Sequence, residues 1–136
     1  MGAKVGTSKP LVERRRYMRL NSHAPVQFRN VLKPQEQFDG TLSKDLSAGG
    51  LCMTTESFIS PESRLVLLVS LPGTLKSIRL ICQVAWTQQQ RFADGYECGV
   101  EFIEINPEDR QEIDAFVQRA REVSSATYTQ SKRLSA

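Results

Sequence analysis

Two groups of polar residues in this chain of 136 have types and spacings suited to holding a ligand. The first is Arg14-Arg15-Arg16-Tyr17-Met18-Arg19, four guanidiniums within six residues, whose mutual repulsion a bound anion would relieve. A guanidinium fork takes two phosphate oxygens, or the O6 and N7 edge of guanine, in a bidentate pair, and its flat face stacks on a base. Arginines four apart can clamp two points of one ligand. The second group is Asp45-Leu46-Ser47-Ala48-Gly49-Gly50. On a strand, Asp45 and Ser47 share one face and Leu46 takes the other. A carboxylate placed there can accept from the N1–H and N2–H₂ donors of guanine, Ser47 can add a hydrogen bond, and Gly50 leaves backbone with no side chain in the way. Each group also has a plain reading: a solvated basic arm for the first, a turn with a self-bonding Asp for the second.

The charge distribution confines the basicity to the arm and leaves both readings of it open. Residues 1–33 carry eight Lys or Arg and one acidic residue, whereas the rest of the chain carries ten basic and fourteen acidic residues. Basicity confined to one end suits a small anionic ligand or a phosphodiester better than a uniformly basic protein does.

Catalytic constellations are missing. The single histidine, His23, follows Asn21-Ser22 and reads as a solvated turn residue. No His-x-x-x-His, Gly-x-Ser-x-Gly, Walker-type loop or cysteine with a local histidine partner is present. Glu97 and Glu101 fall on the wet face of a strand with Glu104 nearby, where acidic residues ordinarily sit. Cys52, Cys82 and Cys98 are odd in number, widely spaced and without a Cys-x-x-Cys pair, which argues against a disulfide framework and a zinc ribbon and fits a reducing compartment. Cys82 and Cys98 occupy inward positions and read as core. The expectation is a protein that is not an enzyme and has neither metal nor cofactor. The longest apolar run, Leu65 to Val69, is far short of a membrane span, and no apolar region follows the N-terminal charges as a signal peptide requires. Met1-Gly2 suggests myristoylation, but Gly6 stands where that motif wants Ser or Thr. These features predict a soluble, cytoplasmic protein.

The elements that must position the two groups follow from periodicity. Residues 1–12 are aperiodic and read as a flexible arm, residues 13–122 as one domain, and residues 123–136 as a polar, frayed tail. Period-2 patterning predicts strands over 24–29, 78–87 and 96–103, the dense apolar run 64–71 reads as a buried strand, and 38–46 and the β-prone 51–55 complete six. In the fifth, Ile78, Leu80, Cys82, Val84 and Trp86 are expected to face inward, and in the sixth Tyr96, Cys98, Val100 and Phe102. Gln88 to Asp94 reads as a polar loop. Asn106 is a good N-cap, Pro107 fits the first helical position, Glu108 and Asp109 complement the helix dipole, and Ile113, Phe116, Val117 and Ala120 make one apolar stripe. Six short strands and a single terminal helix argue for a mainly β domain, either barrel or sandwich.

An Arg-x-x-x-Arg arm entering such a domain, followed by Asp-x-Ser-x-x-Gly one strand later, resembles the PilZ domain, the bacterial receptor for cyclic di-GMP. Only Arg15 with Arg19 fits the first motif, since Arg14 and Arg16 would pair with Met18 and Leu20. Asp45, Ser47 and Gly50 meet the second. Val84-Ala85-Trp86 and Gly99-Val100-Glu101-Phe102 look like later strands of the family, and the resemblance covers residues 12 to 122. It implies a small six-stranded antiparallel β-barrel with one C-terminal α-helix. It further implies that Arg15 and Arg19 hold guanine and phosphate groups, that Asp45 and Ser47 read a guanine edge, and that Gly50 permits the close approach. Arg14 extends the arm to a variant that in similar proteins accompanies a stacked pair of cyclic di-GMP molecules. Arg16 is the solvated spare, and Tyr17 is an anchor packing the arm on the core. The partners implied are cyclic di-GMP and an effector protein, with no DNA or RNA. The rival readings are a nucleic-acid-binding barrel with a basic arm, which an acidic body without an aromatic ladder opposes, and a PilZ-like adaptor acting without nucleotide.

Overall fold

The computed structural model describes the backbone over residues 17–135 and side chains over residues 17–123; Arg14, Arg15 and Arg16 and the arm 1–12 lie outside the described residues. Six strands, β1 (Pro25–Asn30), β2 (Asp39–Ser47), β3 (Gly50–Thr55), β4 (Arg64–Ser70), β5 (Ser77–Gln89) and β6 (Tyr96–Glu104), precede one helix, α1 (Pro107–Ser135). The strands close into a barrel in the order β1-β2-β3-β6-β5-β4, with every neighbouring pair antiparallel. Closure leaves no free edge in the ring, which is how a small all-β domain satisfies its backbone groups.

Alternation fills the interior. Val26 and Phe28, Leu65, Leu67 and Val69, then Ile78, Leu80, Cys82 and Val84 are at 9 % exposure or less; alternation predicts the sets of β1 and β5, while β4 is a continuous apolar run in which Val66 is buried too. Ile113 and Val117, one helical turn apart, are fully buried and seat α1 on the barrel. The start of α1 is built as the sequence suggests: the Asn106 side chain accepts from the Glu108 amide at 2.8 Å. Lys76, in the β4–β5 turn, braces the next turn of helix through Glu112 at 2.8 Å.

Three expectations change. Trp86 does not face the core; it is 42 % exposed. A bulge between Val84 and Trp86 sets Ala85 as an extra residue against β6, so Val84 pairs with Val100 while Trp86 pairs with Gly99. One extra residue inverts the alternation beyond it. β5 also runs to Gln89, through the start of the expected loop. Helix α1 continues to Ser135 through the residues expected as a frayed tail, because no Gly or Pro interrupts them and a helical backbone can form without an apolar stripe.

His23 is exposed but not merely solvated. Its Nδ1 lies 2.9 Å from the Ser43 carbonyl, which can only accept, so that nitrogen carries the proton. Ser43 itself is fully buried and holds the entry to β1: its hydroxyl donates to the Ser22 carbonyl at 2.6 Å and accepts from the Ala24 amide at 2.9 Å. Ser43→Ala strands both groups away from water, so we expect a loss of about 1–3 kcal/mol in a urea unfolding titration. An unchanged midpoint would mean that the two backbone groups find other partners.

Candidate functional site

The turn between β2 and β3 is the site's floor. Ser47 pairs with Gly50 across a two-residue connection, Ala48-Gly49. The Ser47 hydroxyl accepts from the amides of Gly49 (3.1 Å) and Gly50 (3.2 Å) and lies within donating reach of the Gly50 carbonyl at 3.2 Å. At 6 % exposure, it is engaged in holding its own turn. Gly50 is demanded by β6: a Cβ there would collide with the Val100 carbonyl oxygen and come within 3.3 Å of the Glu101 Cα. The close approach at Gly50 is therefore between two strands. The amide of Phe102 completes this contact by donating to the Gly49 carbonyl at 2.9 Å.

Asp45 precedes the turn. A register shift between Ser43 and Asp45 places it opposite Cys52. One carboxylate oxygen accepts from the Cys52 amide at 2.9 Å, and the other accepts from Arg19 Nη1, also at 2.9 Å. Asp45 thus joins β2, β3 and the end of the arm. Its carboxylate already has partners on both oxygens and does not line the neighbouring cavity, whereas Arg19 does.

The arm reaches this place by a short β-bridge. Leu20 and Leu46 exchange amide–carbonyl hydrogen bonds at 2.9 Å in both directions. Tyr17 packs against the core, with its ring edge 3.0 Å from where a Cβ would stand on Gly49. It is the anchor the sequence suggests, and it also lines the cavity. Two arginines from α1 hold the arm from the other side. Arg110 sits 5.6 Å from the Tyr17 ring centroid and donates to the Ala48 carbonyl at 3.0 Å. Arg121 donates to the Arg19 carbonyl at 2.6 Å.

Between these parts lies an open cavity of about 730 Å³, walled by Tyr17, Arg19 and Arg110, by the Gly49–Cys52 stretch and by β5 and β6 at Trp86 and Gly99. Its lining residues include two arginines, three aromatic residues (Tyr17, Trp86 and Phe102) and Glu101 with its exposed carboxylate. The other acid expected on this strand's wet face, Glu97, is paired with Lys44, whose ammonium that hydrogen bond holds above its ordinary pKa. Burial pushes the Cys52 thiol up to about 11 and the Cys82 thiol to about 12, so neither is a thiolate near neutral pH. Among the described residues no His, Cys, Asp and Glu group is placed to hold a metal ion.

Arg110 and Arg121 went unnoticed in the sequence. For Arg110 a signal exists: it stands three residues before Ile113 and seven before Val117, on the flank of the buried stripe. For Arg121, which binds a carbonyl 102 positions away, the sequence carries none.

A family model of the PilZ domain matches residues 13–119. Comparison with curated proteins finds no match. Among solved structures, the chain is similar to the Bacillus subtilis inhibitor of motility MotI/DgrA, at 26% identity and a TM-score of 0.67 over 79% of this chain and 51% of that one. It is also similar to the PilZ domain of Escherichia coli YcgR with c-di-GMP, at 17% identity and a TM-score of 0.63 over 82% of this chain and 98% of that domain. A longer YcgR structure in complex with c-di-GMP aligns with a TM-score of 0.69 at 13% identity, over 86% of this chain and 50% of that one. The chain therefore spans about half the length of MotI and of the longer YcgR chain.

The two halves of the Asp45 contact should separate in stability measurements. The pair with Arg19 is partly exposed, at 41% and 19% for the two side chains, so Arg19→Ala should cost no more than about 1 kcal/mol. Asp45→Ala also leaves the Cys52 amide without its acceptor and should cost about 1–3 kcal/mol. Asp45→Asn keeps an oxygen for that amide and should fall between them. Equal losses for all three variants in chemical denaturation would contradict this division.

Proposed function

This chain belongs to the PilZ domain family, whose members are receptor and adaptor domains without catalysis, and from that premise we propose that it is a receptor for cyclic di-GMP. The observation that carries the reading is the meeting of Arg19 with Asp45 beside the cavity, at the turn formed by Ser47 and Gly50. A motif arginine lining a concave, doubly cationic wall suits a ligand that presents guanine edges and phosphodiesters together. Arg15 completes the arm's pair, and Arg14 directs a second, stacked ligand molecule.

The roles differ from a simple row of ligand contacts. Arg19 meets the ligand, Asp45 aims Arg19, and Ser47 and Gly50 hold the turn at the height the ligand needs. Asp45 aims Arg19 only until the ligand arrives: a guanine edge that takes the carboxylate oxygen held by Arg19 displaces it, so binding and rearrangement of the arm are one event. Because α1 grips the arm at Tyr17 and at the Arg19 carbonyl, rearrangement changes the surface that arm and helix offer to an effector protein. No described helix is long and apolar enough to cross a membrane.

Calorimetric titration with cyclic di-GMP, alongside GTP and cyclic mono-GMP, tests the reading. Heat should appear for cyclic di-GMP alone, and the ligand should raise the thermal midpoint because it binds the folded chain. Arg19→Ala and Asp45→Ala should each weaken binding by about tenfold or more, while Lys132→Ala leaves it unchanged. A stoichiometry of two per chain supports the stacked pair, and Arg14→Ala should reduce it to one. No heat from cyclic di-GMP at micromolar protein would sink the reading.

A further inference from the structure

We propose that the outer wall of β1, β4 and β5 is a docking surface for an amphipathic helix with acidic flanks, carried by a partner protein. The run Leu65-Val66-Leu67-Leu68-Val69 makes β4 apolar on both faces. Such a pattern belongs to a strand covered by a layer on each side. Here Leu65, Leu67 and Val69 fill the barrel, while Val66 and Leu68 alternate outward, and neither belongs to the core cluster. Register sets Ile81 of β5 beside Val66, so the outer wall has an aliphatic centre of three side chains. Leu68 and Ile81 stay partly exposed. Helix α1 is not their cover: its main strand contact is with β2, and it meets the β4–β5 turn through Lys76.

Three arginines frame that centre. Arg29 of β1 stands beside Val66, Arg79 of β5 stands beside Leu68, and Arg64 opens β4 on the same face. None of the three forms an ion pair with a described residue. Arg29 lies over the Phe38 ring at 4.4 Å, and its Nε is buried without an acceptor among the described residues. Glu104, in register with Ile81, bounds the wall on the β6 side. Unpaired cations around an aliphatic centre are complemented by aliphatic side chains flanked by carboxylates. An amphipathic helix supplies both, because its apolar stripe packs on a sheet face and its flanks carry the acids.

Charge argues against two other occupants. Residues 119–135 of this chain's own helix carry Arg119, Arg121, Lys132 and Arg133 against Glu122, so that helix from a second copy would bring like charge to the wall. Residues 34–136 carry ten basic and fourteen acidic residues, which opposes a nucleic acid at a site with three cations. In the ring, β1 and β4 stand opposite β6 and β3, whose residues line the cavity. A partner on the wall therefore leaves the cavity open.

The probe is a labelled synthetic helix of about 18 residues, five turns, with a Leu stripe flanked by Glu. It should bind the intact chain by fluorescence anisotropy. In amide correlation spectra it should shift β1, β4 and β5 around Val66 and leave the Gly49–Cys52 stretch unmoved. Arg29→Glu, Arg64→Glu and Arg79→Glu together should weaken binding about tenfold or more, and Leu68→Ser, which keeps every charge, should weaken it several-fold. Thermal melts check that these variants fold, and their affinity for cyclic di-GMP should not change, so the two sites are tested apart. No binding by the Glu-flanked helix overturns the proposal, as does equal or tighter binding by a Lys-flanked helix with the same stripe. If Arg14→Ala, Arg15→Ala and Arg16→Ala together abolish binding while the wall variants bind normally, the probe sits on the arm and the wall has no such role. Full-strength binding by Leu68→Ser reduces the wall to a charge patch and also overturns it. A duplex oligonucleotide or phosphatidylserine vesicles that shift the same amides at lower concentration than the helix would replace the protein partner by that class.

Discussion

The amide of Cys52 points at β2 where that strand is bulged, and the group that meets it is the carboxylate of Asp45. Much of the site's geometry depends on this contact. A buried backbone donor must have a partner, so the carboxylate is held in one place, and its second oxygen becomes a fixed point toward which Arg19 can reach. The arm's end is then positioned by the barrel rather than by its own stiffness. The other supports act in series with it: the bridge at Leu20, the Tyr17 ring on Gly49, and the helix arginines above.

Two bulges share the work. The one in β2 brings Asp45 opposite Cys52; the one in β5 turns Trp86 outward over Gly99. Between them β6 approaches the β2–β3 turn so closely that Gly50 can carry no side chain. The site is thus a place where the barrel departs from regular pairing, and those departures fix its shape. A regular six-stranded ring with the same composition would bury the tryptophan.

Much of this was legible in the residues. The six strands, the inward sets of β1 and most of β5, and the Asn106 cap follow from apolar patterning and capping chemistry, which are local. The pairing of the arm with Asp45 was legible only as a resemblance, because it joins residues 26 positions apart. Trp86 was misplaced because alternation read along one strand cannot show an extra residue, which exists only relative to the partner strand. Ser47 lines the cavity, and its hydroxyl also accepts from the two amides that follow it, a local bond that residue types alone do not reveal. The helix arginines were missed since their partners are backbone carbonyls, and a carbonyl leaves no mark in a sequence.

That last pair of contacts bears on the order in which the protein can be made. Arg121 closes on the carbonyl of Arg19 across 102 positions of chain, and Arg110 closes on that of Ala48 across 62. During synthesis the barrel strands can pair as they emerge, but the arm cannot be clasped until α1 has left the ribosome. One of the earliest residues of the site to be made is thus among the last to be secured. Arg121 grips a main-chain oxygen and so does not read the Arg19 side chain, which stays free to answer to Asp45 and the ligand, whereas Arg110 meets the arm through the ring of Tyr17.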